Sequence, residues 1–445
     1  MSEEISASEI DALLARMYPF NRSLTGDGNR QTLNVLRELV PLDVHEYPCG
    51  KEVYDWVIPD EWHIRDAWIK DSTGNRLVDF QANNLHVVGY SEPVKARMTF
   101  NELSSRLHVL EELPEAIPYR TSYYTRSWGF CVNSQQYKAL QRSKEQFEVV
   151  IDSAFDATGS MSIGELLIPG AKTEELLVST YICHPSMAND NLSGIVTTAL
   201  LARTILARGR PQYSWRFVFV PETIGAIAYL CHNEKIMHKV QGGFVVTCCG
   251  GKGKLGYKES FVGDSLVDRA VRLAFRDKSI DAIRYPFQPT GSDERQYSSI
   301  GFRIPVTTIC KDKYYEYSEY HTSLDNLDFV NGEQILESVD LYLDVIQILE
   351  ENSAFTSSVP KGEVQLGRRG LYPHSGGSIN QPASKNHRRH QEYQELDVIS
   401  WLLFLSDGQN DLITIAERTG ITYFDLLRVA RKLMSQAVIQ PAKDN

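Results

Sequence analysis

Between residues 160 and 350, continuous apolar runs alternate with segments of helical length, and this alternation constrains the fold more than any other feature. Leu176–Ile182, Trp215–Val220, Phe244–Thr247 and Val306–Ile309 read as strands apolar on both faces. Ile195–Arg208 and the stretches 225–236, 264–276 and 332–350 read as helices between or after them. Strands without a polar face must be covered on both sides, so the pattern predicts a largely parallel α/β sheet flanked by helices. In open sheets of that kind, ligands collect beyond the carboxyl ends of the strands.

Other elements surround this core. Residues 5–18 and 27–40 carry helical spacing, with the turn-rich Ser23–Gly28 between them. From 48 to 150 the runs shorten: Trp56–Ile58, Ala67–Ile69 and Asn84–Val88 look strand-like, divided by turn signals such as Pro59-Asp60 and Ser72–Asn75. Residues 356–392 are rich in Gly, Ser, Pro and Arg and show no periodicity, whereas 393–440 is helical again. There Ile413–Thr422 has the form of a helix-turn-helix, with Thr422 capping a second helix over 423–436. The expected organisation is a catalytic domain from 1–47 and 151–355, an inserted β-rich domain over 48–150, a linker over 356–392, and a winged-helix-like domain over 393–445.

Composition narrows the function. A net charge of -11 disfavours broad binding to nucleic acid or anionic membrane. No run approaches the roughly 20 apolar residues of a membrane span, and Met1–Asp11 lacks a signal-peptide pattern. Seven irregularly spaced cysteines suit a reducing cytoplasm, which is the expected location. Although the helix-turn-helix suggests DNA binding, residues 391–445 hold five Lys/Arg (418, 428, 431, 432, 443) against eight Asp/Glu (392, 395, 397, 407, 411, 417, 425, 444). Arg388-Arg389 is the nearest basic cluster. Docking or homo-oligomerisation fits this module better than phosphate contacts.

Chemistry enters at the strand ends. His184 and Asp190 share the segment Cys183–Gly194 after the first strand, Glu222 lies two residues beyond the second, and His321 follows the last by about ten. Two imidazoles and a carboxylate at one sheet edge make a zinc site with an open corner. Zinc lowers the pKa of bound water to about 7 and polarises carbonyls, and a carboxylate outside the ligand set can then take the proton from that water. Glu222 is the candidate base; its alternatives are an N-cap for the following helix or a fourth ligand. A serine-hydrolase elbow is absent, and Gly250–Lys254 lacks Walker spacing.

Asn189–Gly194, Pro221–Gly225 and Tyr320–Asp325 together resemble the three signature segments of the zinc aminopeptidase superfamily, which includes the glutaminyl cyclases. With Gly291–Tyr297, the β insertion and the helical tail, the chain is most similar to a bacterial aminopeptidase-like subgroup with a winged helix. The resemblance implies a zinc-exopeptidase-like fold, metal ligation by His184, Asp190 and His321, and Glu222 as general base. Three positions depart from the pattern: Thr223 where a second ligating carboxylate is usual, Thr247–Gly250 where another ligand Asp is usual, and Ser186 in place of an Asp supporting the first His. One zinc per chain is therefore expected, with Cys248 or Cys249 as a possible thiolate donor. Asp293 and Glu294 would hold substrate or a ligand, or else pair with Arg295; Asp325 would orient His321 or cap the next turn. The aromatic segments Tyr119–Trp128 and Lys313–Tyr317 are candidates to line a cleft. The expected activity is cleavage of a peptide or amide bond in a small substrate. The alternatives are deacylation of an amino sugar or aminoacyl conjugate, and an inactive regulator with a DNA-binding winged helix.

Overall fold

The computed structural model describes residues 5–372 and 387–442, of which 387–394 by backbone alone; the Arg388-Arg389 side chains lie outside the described residues. Its central feature is an eight-stranded sheet. Spatially the strands run Asp43–Pro48, Ser160–Ile168, Ser214–Val220, Glu175–Tyr181, Val240–Val245, Val306–Lys311, Leu255–Lys258, Ile283–Tyr285. The middle four are mutually parallel, and the pairs outside them begin with antiparallel joins. Every residue of Glu175–Tyr181 is buried, as its unbroken apolar run predicts. Gly243 is required beside it, because a Cβ there would meet Leu177 O at 2.0 Å.

The helix Gly194–Arg208 follows this strand and is buried over most of its length. Gly194 lets it start close to its surroundings: a Cβ would fall 2.2 Å from Asn191 Oδ1 and 2.6 Å from Val246 O. The N-terminal helix Ala7–Met17 opens on a capping box between Ser6 and Glu9.

The region from 48 to 150 supplies most of a four-stranded antiparallel sheet of Arg76–Asp79, Glu61–Lys70, Phe147–Asp156 and Val94–Met98. Its own apolar core includes Ala67, Ile69, Val78, Phe130, Phe147, Val149 and Ile151. Asn84–Val88 differs from the strand reading: Asn84–His86 is a 3-10 turn, set by the Asn83 side chain accepting the Leu85 N–H.

Two compact units divide the chain, one of Met1–Ser265 with Ala282–Tyr342, the other of Leu266–Asp281 with Leu343–Asn445. Helix Leu266–Asp277, expected with the central sheet, thus falls in the second unit, where Arg276 Nη1 donates to Ala416 O (2.9 Å) and Arg269 pairs with Glu417. In this unit Thr422 caps Tyr423–Ser435, as expected, Gly420 turns the chain at φ 73°, and Asp411, which the sequence reading did not single out, caps Leu412–Thr419. A three-stranded sheet of Asp407–Asp411, Ala354–Ser357 and Ile439–Pro441 completes a winged helix. Among the described residues, no helix is long and apolar enough to cross a membrane.

Candidate metal centre

The ends of the central strands bring His184, Asp190 and His321 together. Strand Glu175–Tyr181 leads directly into the His184 loop, and Arg22 Nε donates to His184 O (2.8 Å), fixing that turn from beneath. The imidazole packs against Tyr181 and Tyr119 (ring centroids 5.0 and 5.3 Å) and faces the His321 ring at 5.4 Å. Burial pushes its pKa down to about 4, so the ring is neutral and keeps a lone pair at ordinary pH.

Asp190 sits in a kinked turn held by Asp325, whose carboxylate accepts the N–H groups of Ala188 (3.2 Å), Asn189 (2.6 Å) and Asp190 (2.9 Å). Asp325 thus neither orients His321 nor caps the following turn. It grips the chain that presents Asp190. Burial drives its own pKa up to about 7 against those backbone donors. Asp325→Ala would strand two buried N–H groups, those of Asn189 and Asp190, each worth roughly 1–3 kcal/mol, while the Ala188 N–H keeps its bond to the Asp325 backbone carbonyl (2.9 Å). The expected outcome is a thermal unfolding temperature lower by several degrees, together with weakened metal retention.

His321 is held by the inserted region. Tyr119 N–H donates to His321 O (2.8 Å), Ser323 N–H to Ile117 O (2.9 Å), and Ser323 Oγ accepts the Ile117 N–H (2.9 Å). Tyr320 stacks on the imidazole at 3.9 Å. The sequence offered Tyr119 only as part of an aromatic stretch. Its role as a brace became visible once the strand-like bridge between Pro118 and Thr322 was in place.

Asp190 Oδ2 lies 3.0 Å from His321 Nε2 and 4.0 Å from His184 Nε2. All three donor atoms fall within 4.8 Å of one another. A tetrahedral ion with bonds near 2 Å separates its ligands by about 3.3 Å, so the spacing suits a small cation. His321 Nε2 is shielded from solvent and makes no well-aligned hydrogen bond, although Asp190 Oδ2 lies beside it. Burial alone would raise the Asp190 pKa, but the two imidazoles and the Tyr181 hydroxyl hold it below the usual carboxylate value. The residues present therefore fit a divalent metal.

Glu222 follows strand Ser214–Val220 and brings Oε2 to 3.8 Å from His184 Nε2. Its N–H donates to Cys183 Sγ (3.2 Å), and Ser292 Oγ donates to Oε1 (3.0 Å). Burial, then the neighbouring Asp190 charge, raise its pKa to about 7. The N-cap alternative is not realised, since the Thr223 N–H at the helix start is accepted by Asp293 Oδ1 (2.7 Å). A small cavity, open to solvent, lies over these groups, with Ser292, Tyr314, Tyr315 and Tyr320 among its walls.

Residues 11–352 match the family described as a domain of unknown function, DUF4910. The chain belongs to that family. Residues 353–441 match a winged helix-turn-helix family. A Clostridium acetobutylicum protein described as a "Putative polysaccharide biosynthesis protein with aminopeptidase-like domain" is 39% identical over 418 residues, spanning 94% of this chain and 93% of that one. A crystal structure of a "putative peptidase" from Clostridium acetobutylicum superposes with a TM-score of 0.90 at 36% identity, covering 98% of this chain and 96% of that one. The zinc aminopeptidase BSAP from Bacillus subtilis superposes with a TM-score of 0.55 at 14% identity, covering 78% of this chain and 96% of that one. At that identity the likeness concerns the fold, which is the zinc aminopeptidase fold that the signature segments implied.

The residues that depart from the superfamily pattern are engaged by other protein groups. Tyr181 OH donates to Asp190 Oδ1 and lies 2.6 Å from Thr247 Oγ1, so the second carboxylate oxygen is engaged by protein. Thr223 Oγ1 accepts from Arg295 Nη2 (3.1 Å). Ser186 Oγ accepts from Asn84 Nδ2 (3.0 Å) and donates to Tyr18 O (3.3 Å). Cys248 and Cys249 are buried and join none of the candidate metal groups among the described residues, but Cys183 groups with His184 and Glu222. The sequence signal for Cys183 was its place directly before His184. Glu294 pairs with Lys258 rather than Arg295 and also accepts from Tyr314 OH (2.5 Å). Ser186, Thr223, Cys248, Tyr315 and His321 all adopt positive φ, a concentration of strained backbone around one centre. A separate group of Asp27, Glu61 and His63 is engaged through Arg30, which pairs with Glu61.

Proposed function

We propose that the chain is a hydrolase of peptide or amide bonds that carries one zinc ion on His184, Asp190 and His321. The convergence of those three donors beside a carboxylate of raised pKa is the observation that supports this reading. A bound zinc would supply Lewis acidity, polarising an acyl carbonyl and acidifying water. Glu222, partly open to the cavity, takes the proton from the attacking water and delivers it to the nitrogen as the C–N bond breaks. Ser292 orients the receiving carboxylate through Oε1 and leaves Oε2 facing the centre. Tyr320 and Tyr119 hold the His321 ring on two sides. The engagement of Asp190 Oδ1 by the Tyr181 hydroxyl, and threonines at positions 223 and 247, support one ion rather than two.

Small aminoacyl-anilides are the test substrates. Turnover by zinc-loaded protein is expected, with one zinc per chain by metal analysis. A second substrate class is an N-acylated amino sugar, to which the Clostridium acetobutylicum relative's description as a putative polysaccharide biosynthesis protein lends support. Turnover of that compound with none of the anilides would move the assignment to deacylation. Tight binding of DNA by metal-free protein that hydrolyses neither would instead support the regulator reading. Arg428 and Lys432 on the winged helix's second helix are ion-paired with Glu395, and Arg431 with Glu351, which argues against it.

A further inference from the structure

A second, larger cavity, open to solvent, adjoins the one above the metal centre, and the two share Tyr314 and Tyr315. Its lining includes Lys258 and Lys313, with Tyr285, Gln288 and Thr290. Both lysines are buried, yet they are not equally satisfied. Lys258 Nζ donates to Glu294, to Tyr314 OH (2.9 Å) and to Gln288 O (3.4 Å), so its three protons and its charge are all matched. Lys313 Nζ reaches Tyr314 O (3.2 Å) and Glu316 Oε1 (2.9 Å), and its third proton meets no acceptor among the described residues. Instead the ammonium lies over the Tyr285 and Tyr314 rings, 5.1 and 4.8 Å from their centroids.

The counter-charge of Lys313 is weakly held. Glu316 is three residues along the same turn, and its side chain is 50% exposed against 9% for the lysine. A local pair whose carboxylate stands half in solvent holds that carboxylate loosely, whereas a buried ammonium strongly favours a desolvated anion. Glu316 can swing into solvent and leave a charged donor at the cavity wall. Exposed Gln288 and Thr290 add polar side chains that impose no charge of their own.

We propose that this cavity binds a small anionic group, a carboxylate or a phosphate, through Lys313. Because Tyr314 and Tyr315 form the wall common to both cavities, that anion belongs to the substrate being hydrolysed, next to its scissile bond. This last step rests on the hydrolase reading, but the anion site itself does not.

Titration calorimetry on the full chain tests it, with glutarate, inorganic phosphate and neutral glutaramide as probes, before and after metal removal by chelator. One anion per chain should bind, glutaramide should not, and chelation should leave the binding unchanged. Stronger binding of phosphate or of glutarate tells which anion the site prefers. Lys313→Met should raise Kd at least ten-fold. Glu316→Gln, which removes the competing carboxylate on an exposed side chain, should lower Kd several-fold, so the proposal stands on a gain as well as a loss. His184→Ala should retain anion binding even where metal and turnover are lost, which separates this proposal from the hydrolase assignment. It is overturned if neither anion binds, if both Lys313→Met and Glu316→Gln leave Kd unchanged, or if binding disappears with the metal.

Discussion

His184→Ala and His321→Ala are each expected to retain less than a tenth of the wild-type metal after desalting, at unchanged secondary structure. Removing even a residue that merely supports a ligand commonly weakens metal affinity by 10–100-fold, and deleting one of three protein donors should exceed that. The fold should tolerate the change. The His184 loop is fixed through its backbone carbonyl by Arg22, and the His321 loop through backbone bonds to Ile117 and Tyr119. Neither anchor uses the imidazole. Metal analysis beside circular dichroism separates loss of ligand from loss of structure. Wild-type zinc in both variants would show that the three donors do not form the site. Near two equivalents in the wild type would show that an unrecognised residue completes a second site.

Much of this centre was legible because its parts are local. A strand apolar on both faces announces itself in Leu176–Ile182, and the polar residues at its end are then candidates for a ligand site. The cap of the second winged-helix helix was equally local, since Thr422 needs only the N–H three residues on. What the sequence withheld depends on long-range approach. Asp325 grips residues more than 130 positions earlier, and no periodicity marks such a contact. Tyr181 reads as one more residue within a buried strand, and its hydroxyl acquires meaning only when Asp190 and Thr247 come beside it. Strand Asp407–Asp411 is Asp-Gly-Gln-Asn-Asp, which has no apolar alternation at all. Its pairing with Ala354–Ser357 produces the strand, and local preference does not.

Glu222→Gln should leave zinc content and KM close to wild type while lowering kcat by about 10²–10⁴-fold, the usual span for general-base assistance. The amide keeps the shape and the Ser292 contact but cannot accept a proton, so the effect falls on the chemical step. The pH profile gives an independent reading. Without metal, burial and the Asp190 charge raise Glu222 to about 7. A cation beside it favours the carboxylate, so the holoenzyme value must lie lower. A base works only when ionised, and activity should therefore fall as pH drops through an acid limb below 7. That limb should vanish from the residual activity of Glu222→Gln. An unchanged limb would assign the titration to another group, and near-normal kcat would remove Glu222 from the proton path. Loss of zinc from this variant alone would instead make Glu222 a fourth ligand, a role its position 3.8 Å from His184 Nε2 also permits.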